Sequence, residues 1–433
     1  MLVGEQIRRV AVVGGVRIPF ARAYGAYADA TNTAMLTAAL QGLVKRHRLQ
    51  GRRLGEVAAG AVIKHSRDFN LTREAVLDSG LDPHTPAFDL QRACGTSLEA
   101  AILIANKIAL GQIDAGIAGG VDSISDTPVV YPRSYQRVLL KAFRARSIGA
   151  RIAALTGIRP SHFKPQTPDA GEPRTGLSMG ESCELMAKRW QISRDEQDQL
   201  ACDSHQRASE AWQSGFFDDL VQPFAGLERD DNLRSDTTLQ KLAALRPSFD
   251  KRAGTLTAGN STPLTDGAST VLLASEQWAR EQGLPVLAWL SFGKAWAVDF
   301  AATDPAQREG LLMAPAYAVP AMLADAGLQL QDFDYYEIHE AFAAQVLCTL
   351  KAWESNDFCR ERLGLSAPLG PIRRDRLNVH GSSLALGHPF AATGARIIAT
   401  LGKILAADQG ARRGLISVCT AGGMGVTAIM ERA

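Results

Sequence analysis

The sequence predicts an α/β fold built from two similar halves, with a segment inserted in the first. Short β-branched runs bounded by glycine alternate with apolar helical stretches. The fragments "AGIAGGVDS" (115–123) and "SVCTAGGMGV" (417–426) echo one another, each ending a strand in Ala-Gly-Gly. Residues 126–253, lying between them, have fewer β-branched runs and more Pro, Gln and charge. At 433 residues, 46% of them hydrophobic, the chain has the material for large cores.

Taken in order, "RRVAVVGG" (8–15) reads as a buried strand closed by its glycines, and "LGEVAAGAVI" (54–63) as the next strand. "AFDLQRACGTSLEAAILIANKIALGQIDAGIAGGVDS" (87–123) reads strand, sharp turn, long helix, strand. That is a βαβ unit whose helix, apolar nearly all round, belongs in the interior. The insertion is largely helical, as in "ESCELMAKRW" and "SRDEQDQLACDSHQRASEAWQ", and is expected to cover one face. "TLTAGNSTPLTDGASTVLLAS" (255–275) is strand-like and rejoins the first half. Near the end, "GARIIATLGKILA" (394–406) is an apolar helix and "RRGLISVCTAGGMGVTAIM" (412–430) two strands joined by glycines. The division that follows is 1–125 with 254–283, an insertion 126–253, and 284–433.

A net charge of +2 with 6% aromatics gives no global sign of a nucleic-acid or acidic partner. The six cysteines (94, 183, 202, 348, 359 and 419) form no CxxC pair and no metal-ligand spacing, so neither a metal nor a disulfide framework is expected. A reducing compartment fits them. The start, "MLVGEQIRRVAVVGG", has no long apolar core, and no stretch runs to 18 apolar residues, so the expectation is a cytoplasmic protein without a spanning helix. One local charge signal stands out. From Thr127 to Pro168 there is no acidic residue, yet Arg133, Arg137, Lys141, Arg144, Arg146, Arg151, Arg159 and Lys164 are interleaved with apolar residues. An amphipathic basic helix there has three readings: a solvated face, a contact for anionic lipid or a partner subunit, or a site for nucleotide phosphates.

Four residues carry chemistry. Cys94 stands at a strand-to-helix corner, where a helix N-terminus favours thiolate; the alternative is a small buried hydrophobe. His388 lies between glycine and proline, and the small residues around it (Gly381, Ser382, Ser383, Ala385, Gly387) leave room for a substrate. A neutral imidazole there can take a thiol proton, or it is a satisfied core histidine. Cys419 precedes "TAGGMG", a turn whose amides can face a developing oxyanion. His339 in "YYEIHEAFAAQ" follows a strand. All four are placed at strand ends, where ligands bind in open α/β sheets.

Cys94 in "ACGTS", "TAGNSTPLTDGA" (257–268), "HEAF" (339–342), "GSSLALGHPFAATGAR" (381–396) and "CTAGGMG" (419–425) together resemble, in order and approximate spacing, the motifs of the thiolase family. The length and the "HEAF" variant most resemble the β-subunits of fatty-acid-oxidation trifunctional complexes and their bacterial relatives; shorter biosynthetic thiolases usually carry Asn in place of His339. The resemblance implies a five-layered αβαβα thiolase fold with an inserted loop domain covering the active site. It implies cleavage of 3-ketoacyl-CoA by coenzyme A, a co-substrate, with no bound cofactor and no metal. Cys94 would be the nucleophile, His388 its activator and Cys419 the proton donor and acceptor. His388 and His339 would hold the enolate oxygen, and the backbone N–H groups of Cys94 and Ala421 the tetrahedral oxyanion. Met179, Thr262 and Phe342 would contact the substrate. The family usually forms homodimers, and the trifunctional members join an enoyl-CoA hydratase/3-hydroxyacyl-CoA dehydrogenase α-subunit. Rival readings are a biosynthetic acetoacetyl-CoA thiolase, a ketosynthase, which Cys419 argues against, and a non-catalytic acyl-CoA-binding subunit.

Overall fold

The structure, a computed structural model, describes residues 7–166, 171–305 and 307–433. The first six residues of the start and residues 167 and 168 of the basic stretch lie outside them. The principal elements of the first half are β1 (Val10–Arg17), α1 (Asn32–Arg46), β2 (Glu56–Ala59), α2 (Leu71–Leu77), β3 (Ala87–Asp89), α3 (Thr96–Ala109) and β4 (Ala115–Asp122). The insertion carries α4 (Arg133–Arg144), α5 (Ile148–Leu155), α6 (Met179–Arg189) and α7 (Arg194–Gln213), and the chain then returns in β5 (Thr265–Ser275). The second half runs β6 (Ala288–Ala297), α8 (Ala314–Ala326), β7 (Tyr335–Ile338), α9 (Ala343–Glu354), α10 (Thr393–Ala407), β8 (Arg413–Thr420) and β9 (Met424–Arg432).

The strand order β3-β2-β4-β5-β1-β6-β9-β8-β7 reads the same outward from its middle in both directions. On each side an antiparallel pair is followed by a second antiparallel pair and then a parallel one. Even the place of β3 has its counterpart, a parallel bridge from Tyr336 to Leu377. The halves meet where Ala11 pairs with Trp289 and Val12 with Ala288.

Period-two alternation sorts the side chains into layers. Ala11, Val13, Val57 and Ile117 pack with α1 and α2 on one outer face. Val12, Ala58, Ala118 and Leu273 face inward onto α3 and α10, and these helices also pack on Ile416, Val418, Val426 and Ala428 of the second half. Leu415 and Ile429, with Tyr336 and Ile338, pack under α8 and α9 on the other outer face. The result is five layers with α3 and α10 in the middle. The 18 residues Phe390–Ala407 are apolar enough to span a bilayer but are 78% buried, as a central core helix must be.

Several local expectations shift. Gly14 and Gly15 do not close β1 but lie within it, because a Cβ on Gly15 would stand 2.6 Å from the Ala399 Cβ of α10. β2 stops at Ala59, beyond which the Val62 and Ile63 amides donate to Asp122 Oδ1 instead of a neighbouring strand. Residues 255–264 are a loop organised by Asn260, whose Oδ1 accepts from Thr257 N (2.7 Å) and whose Nδ2 donates to Asp198 (2.9 Å). The basic stretch forms two helices, α4 and α5, and their apolar residues point outward: Phe143 is 83% exposed, Ile148 78% and Ile152 60%.

Candidate active site

Cys94 is set by the turn between β3 and α3. Ala93 adopts a left-handed φ of 44°, and the Thr96 hydroxyl closes the turn by donating to Ala93 O (2.7 Å) and accepting from Arg92 N (2.9 Å). The next residue has to be glycine. A Cβ on Gly95 would lie 2.8 Å from Val426 and 3.0 Å from Thr420, so its absence lets the β8–β9 hairpin come alongside Cys94. That hairpin carries Cys419, the penultimate residue of β8, and the turn after it, where Gly422 and Gly423 have φ of 78° and 70°. The amide of Ala421 in this turn and that of Cys94 itself lie near enough to the Cys94 sulfur to favour its thiolate.

His388 is not at a strand end as expected. It sits between a short helical turn, Ser383–Leu386, and the turn Phe390–Ala392 that leads into α10. Its amide donates to Thr265 Oγ1 (2.7 Å), and Ala391 N, three residues on, donates to Asp122 Oδ2 (2.7 Å), fastening the segment to the first half. The Thr393 hydroxyl donates to Pro389 O (3.2 Å), so its contact with His388 Nδ1 (2.6 Å) takes the ring's Nδ1–H. This places the lone pair on Nε2, which is buried without a protein partner. The small residues before His388 do not make room for substrate. A Cβ on Gly381 would stand 2.4 Å from Ser204 O of α7, and one on Gly387 3.0 Å from Thr265, so they admit neighbouring elements.

His339 follows β7, its amide donating to Ser417 O (2.8 Å). Its Nδ1 meets Ser383 Oγ at 2.8 Å, its Nε2 is buried and unpartnered, and its ring centroid lies 4.0 Å from that of His388. Cys94 Sγ and one ring nitrogen from each histidine lie within 4.8 Å of one another. Cys419 is buried beside them, close enough that charge on Cys94 raises its pKa. Four residues from remote parts of the chain are thus brought together, as expected. Met179 and Phe342 share an apolar cluster with Cys419, and Thr262 donates to Ala341 O through its amide (3.1 Å) and hydroxyl (3.0 Å), bracing the loop after His339.

Burial governs the charges. It pushes the Cys94 thiol up to about 12, against the lowering from the two amides, so the helix terminus does not produce a resting thiolate. It pushes His388 down to about 3 and His339 well below its usual value, and it raises Cys419. The resting centre is therefore neutral thiols beside neutral imidazoles. Thiolate below its pKa grows about tenfold per pH unit, so Cys94 alkylation by iodoacetamide is expected to climb steadily from about pH 7 to 9.5. A flat profile over that range would mean a thiolate–imidazolium pair instead.

The sequence reading passed over Arg396, which is 1% exposed. Its guanidinium donates to Ser382 Oγ (3.2 Å) and Ser383 Oγ (2.9 Å) and faces Glu337 at 4.0 Å, holding the serine that orients His339. Its place in "GSSLALGHPFAATGAR" was visible; a buried cation there was not, because only α10 packing between the sheets encloses it.

Comparisons with known proteins identify the family. The family description "Thiolase, N-terminal domain" matches residues 10–277, and "Thiolase, C-terminal domain" residues 292–432. The chain is 40% identical over 430 residues to a 3-ketoacyl-CoA thiolase of Pectobacterium carotovorum subsp. carotovorum, covering 98% of this chain and 96% of that one. It is 40% identical over 440 residues to that of Erwinia tasmaniensis, covering 99% and 98%. Among solved structures, the acetyl-CoA acetyltransferase of Bacillus anthracis superposes with a TM-score of 0.82 at 30% identity, covering 99% of this chain and 100% of that one. The human mitochondrial 3-ketoacyl-CoA thiolase in complex with CoA gives 0.80 at 27%, covering 98% of each. The chain belongs to the thiolase family.

Proposed function

We propose that this protein cleaves 3-ketoacyl-CoA with coenzyme A, releasing acetyl-CoA and a shortened acyl-CoA, in fatty-acid β-oxidation. The observation that carries this reading is the meeting of Cys94, His339 and His388 with Cys419 beside them. His388 Nε2 takes the Cys94 proton as the sulfur attacks the 3-keto carbon, and the amides of Cys94 and Ala421 receive the oxyanion. The Cα–Cβ bond then breaks. The acetyl-CoA enolate, its oxygen held at the His388 and His339 Nε2 atoms, takes a proton from Cys419. The His339 proton stands on Nε2 when Ser383 donates to Nδ1. Cys419 thiolate next deprotonates incoming coenzyme A, which attacks the acyl-cysteine, and His388 returns its proton to Cys94. Neutral starting groups suit this sequence, since each proton removed in one half is restored in the other.

The names of the relatives support the degradative direction, and Met179, Thr262 and Phe342 are the proposed contacts for the acyl-CoA. The assay is CoA-dependent loss of the 3-ketoacyl-CoA enolate absorbance across a chain-length series. Turnover of substrates longer than four carbons is expected; activity confined to four carbons would favour acetoacetyl-CoA synthesis.

We also place the protein in the cytoplasm as a homodimer, with α4 and α5 against an anionic membrane. Eight basic residues without an acidic one, around outward-facing Leu140, Phe143, Ile148 and Ile152, combine charge and apolar anchors as interfacial helices do. Flotation with phosphatidylglycerol vesicles, lost on neutral vesicles and in Phe143→Asp/Ile148→Asp, is the expected result. Co-purification of a hydratase/dehydrogenase subunit through the same residues, without flotation, would give the surface to a protein partner.

A further inference from the structure

We infer that the catalytic centre is also an inhibitory transition-metal site, in which Cys94 Sγ and the Nε2 atoms of His339 and His388 take a zinc ion. No CxxC or His-x-His spacing announces it. The three ligand atoms come from residues 94, 339 and 388 and converge within 4.8 Å of one another. Tetrahedral zinc, with bonds of about 2.0 to 2.3 Å, spaces its ligands roughly 3.3 to 3.7 Å apart, so side-chain shifts of about an ångström close the set. The histidines are already supported as metal ligands are. His388 Nδ1 is engaged by Thr393 Oγ1 (2.6 Å) and His339 Nδ1 by Ser383 Oγ (2.8 Å), while both Nε2 atoms are buried and unpartnered.

The chemistry selects the metal class. One thiolate and two imidazoles form a borderline-soft set suited to Zn2+ and Co2+ and poorly suited to Mg2+ or Ca2+. Binding replaces the Cys94 S–H bond with a sulfur–zinc bond, and the proton passes to solvent. His339 ligates with its proton on Nδ1, donated to Ser383, and a fourth position stays open for water. The ion then occupies the space between the nucleophile and its base, so the thiolate can no longer attack. The third ligand is decisive: asparagine at position 339 would leave a cysteine and one histidine, too few to hold zinc firmly. The other five cysteines are buried as free thiols and make no comparable group with histidine among the described residues.

The inference does not depend on the thiolysis reading, since binding is read directly. Titration of the metal-free protein with Co2+ is expected to produce, at one equivalent, a thiolate-to-cobalt band in the near ultraviolet and tetrahedral bands in the visible, both erased by Zn2+. Zn2+ should inhibit reversibly, with activity restored by EDTA. His339→Asn should weaken Zn2+ binding by at least about tenfold, and Cys94→Ser should remove the near-ultraviolet band while Cys419→Ser keeps it. A measurement on the unaltered protein covers the case in which a variant fails to fold: Zn2+ should protect Cys94 from iodoacetamide, read by peptide mass spectrometry. Absence of the thiolate band, equal Zn2+ binding by His339→Asn, or undiminished alkylation of Cys94 under Zn2+ would each overturn the inference.

Discussion

Cys94→Ala is expected to lower the rate of thiolysis by about five orders of magnitude while leaving the fold intact. The Cys94 sulfur is the atom on which the ring nitrogens of His339 and His388 and the amide of Ala421 converge. Without it there is no covalent acceptor for the acyl group, and water has no comparable position from which to attack. The turn that holds the residue is built from Ala93, Gly95 and Thr96, all of which remain, so the melting temperature should move by only a few degrees. Incubation with 3-ketoacyl-CoA should leave an acyl adduct on the Cys94 peptide of the unaltered enzyme and none on the variant. A rate like that of the unaltered protein would remove the acyl-cysteine route altogether.

His388→Ala should cost about 10³-fold in kcat/KM. Because burial holds the Cys94 thiol at about 12, very little thiolate exists near neutrality, and the neighbouring Nε2 lone pair is what makes attack concerted with proton removal. The ring also contributes to the enolate pocket, so both halves of the reaction should slow. The loss should shrink in alkaline assays, where solvent base removes the Cys94 proton, and alkylation at high pH should proceed in the variant. A deficit that stays constant from neutral to alkaline pH would assign His388 to oxyanion binding alone.

Much of this centre was legible in the sequence because strongly constrained backbone leaves short signatures. The corner "ACGTS" needs Gly95 for close approach and Thr96 to tie the turn, and the glycines after Cys419 have positive φ. Elements with strict periodicity were equally visible: α3 and α10 are apolar because both of their faces meet sheets. What local patterns could not carry were interactions between distant segments. Asp122 is ordinary at the end of β4 until it is seen to receive amides from Val62, Ile63 and Ala391. Arg396 is one more arginine until two sheets close around it. The glycines before His388 were credited to substrate, whereas α7 stands against Gly381 and Thr265 against Gly387.

By itself, then, the chain determined which chemical groups are present, the α/β alternation and the duplicated strand pattern, since these follow from composition and local backbone preference. Only the tertiary structure decided their ionisation and their aim. Desolvation, which exists only in the packed protein, overrode the helix-terminus field at Cys94 and left both imidazoles neutral. The contact from Ser383 to His339, made between separate segments, and the local one from Thr393 to His388 left both Nε2 atoms free at the centre.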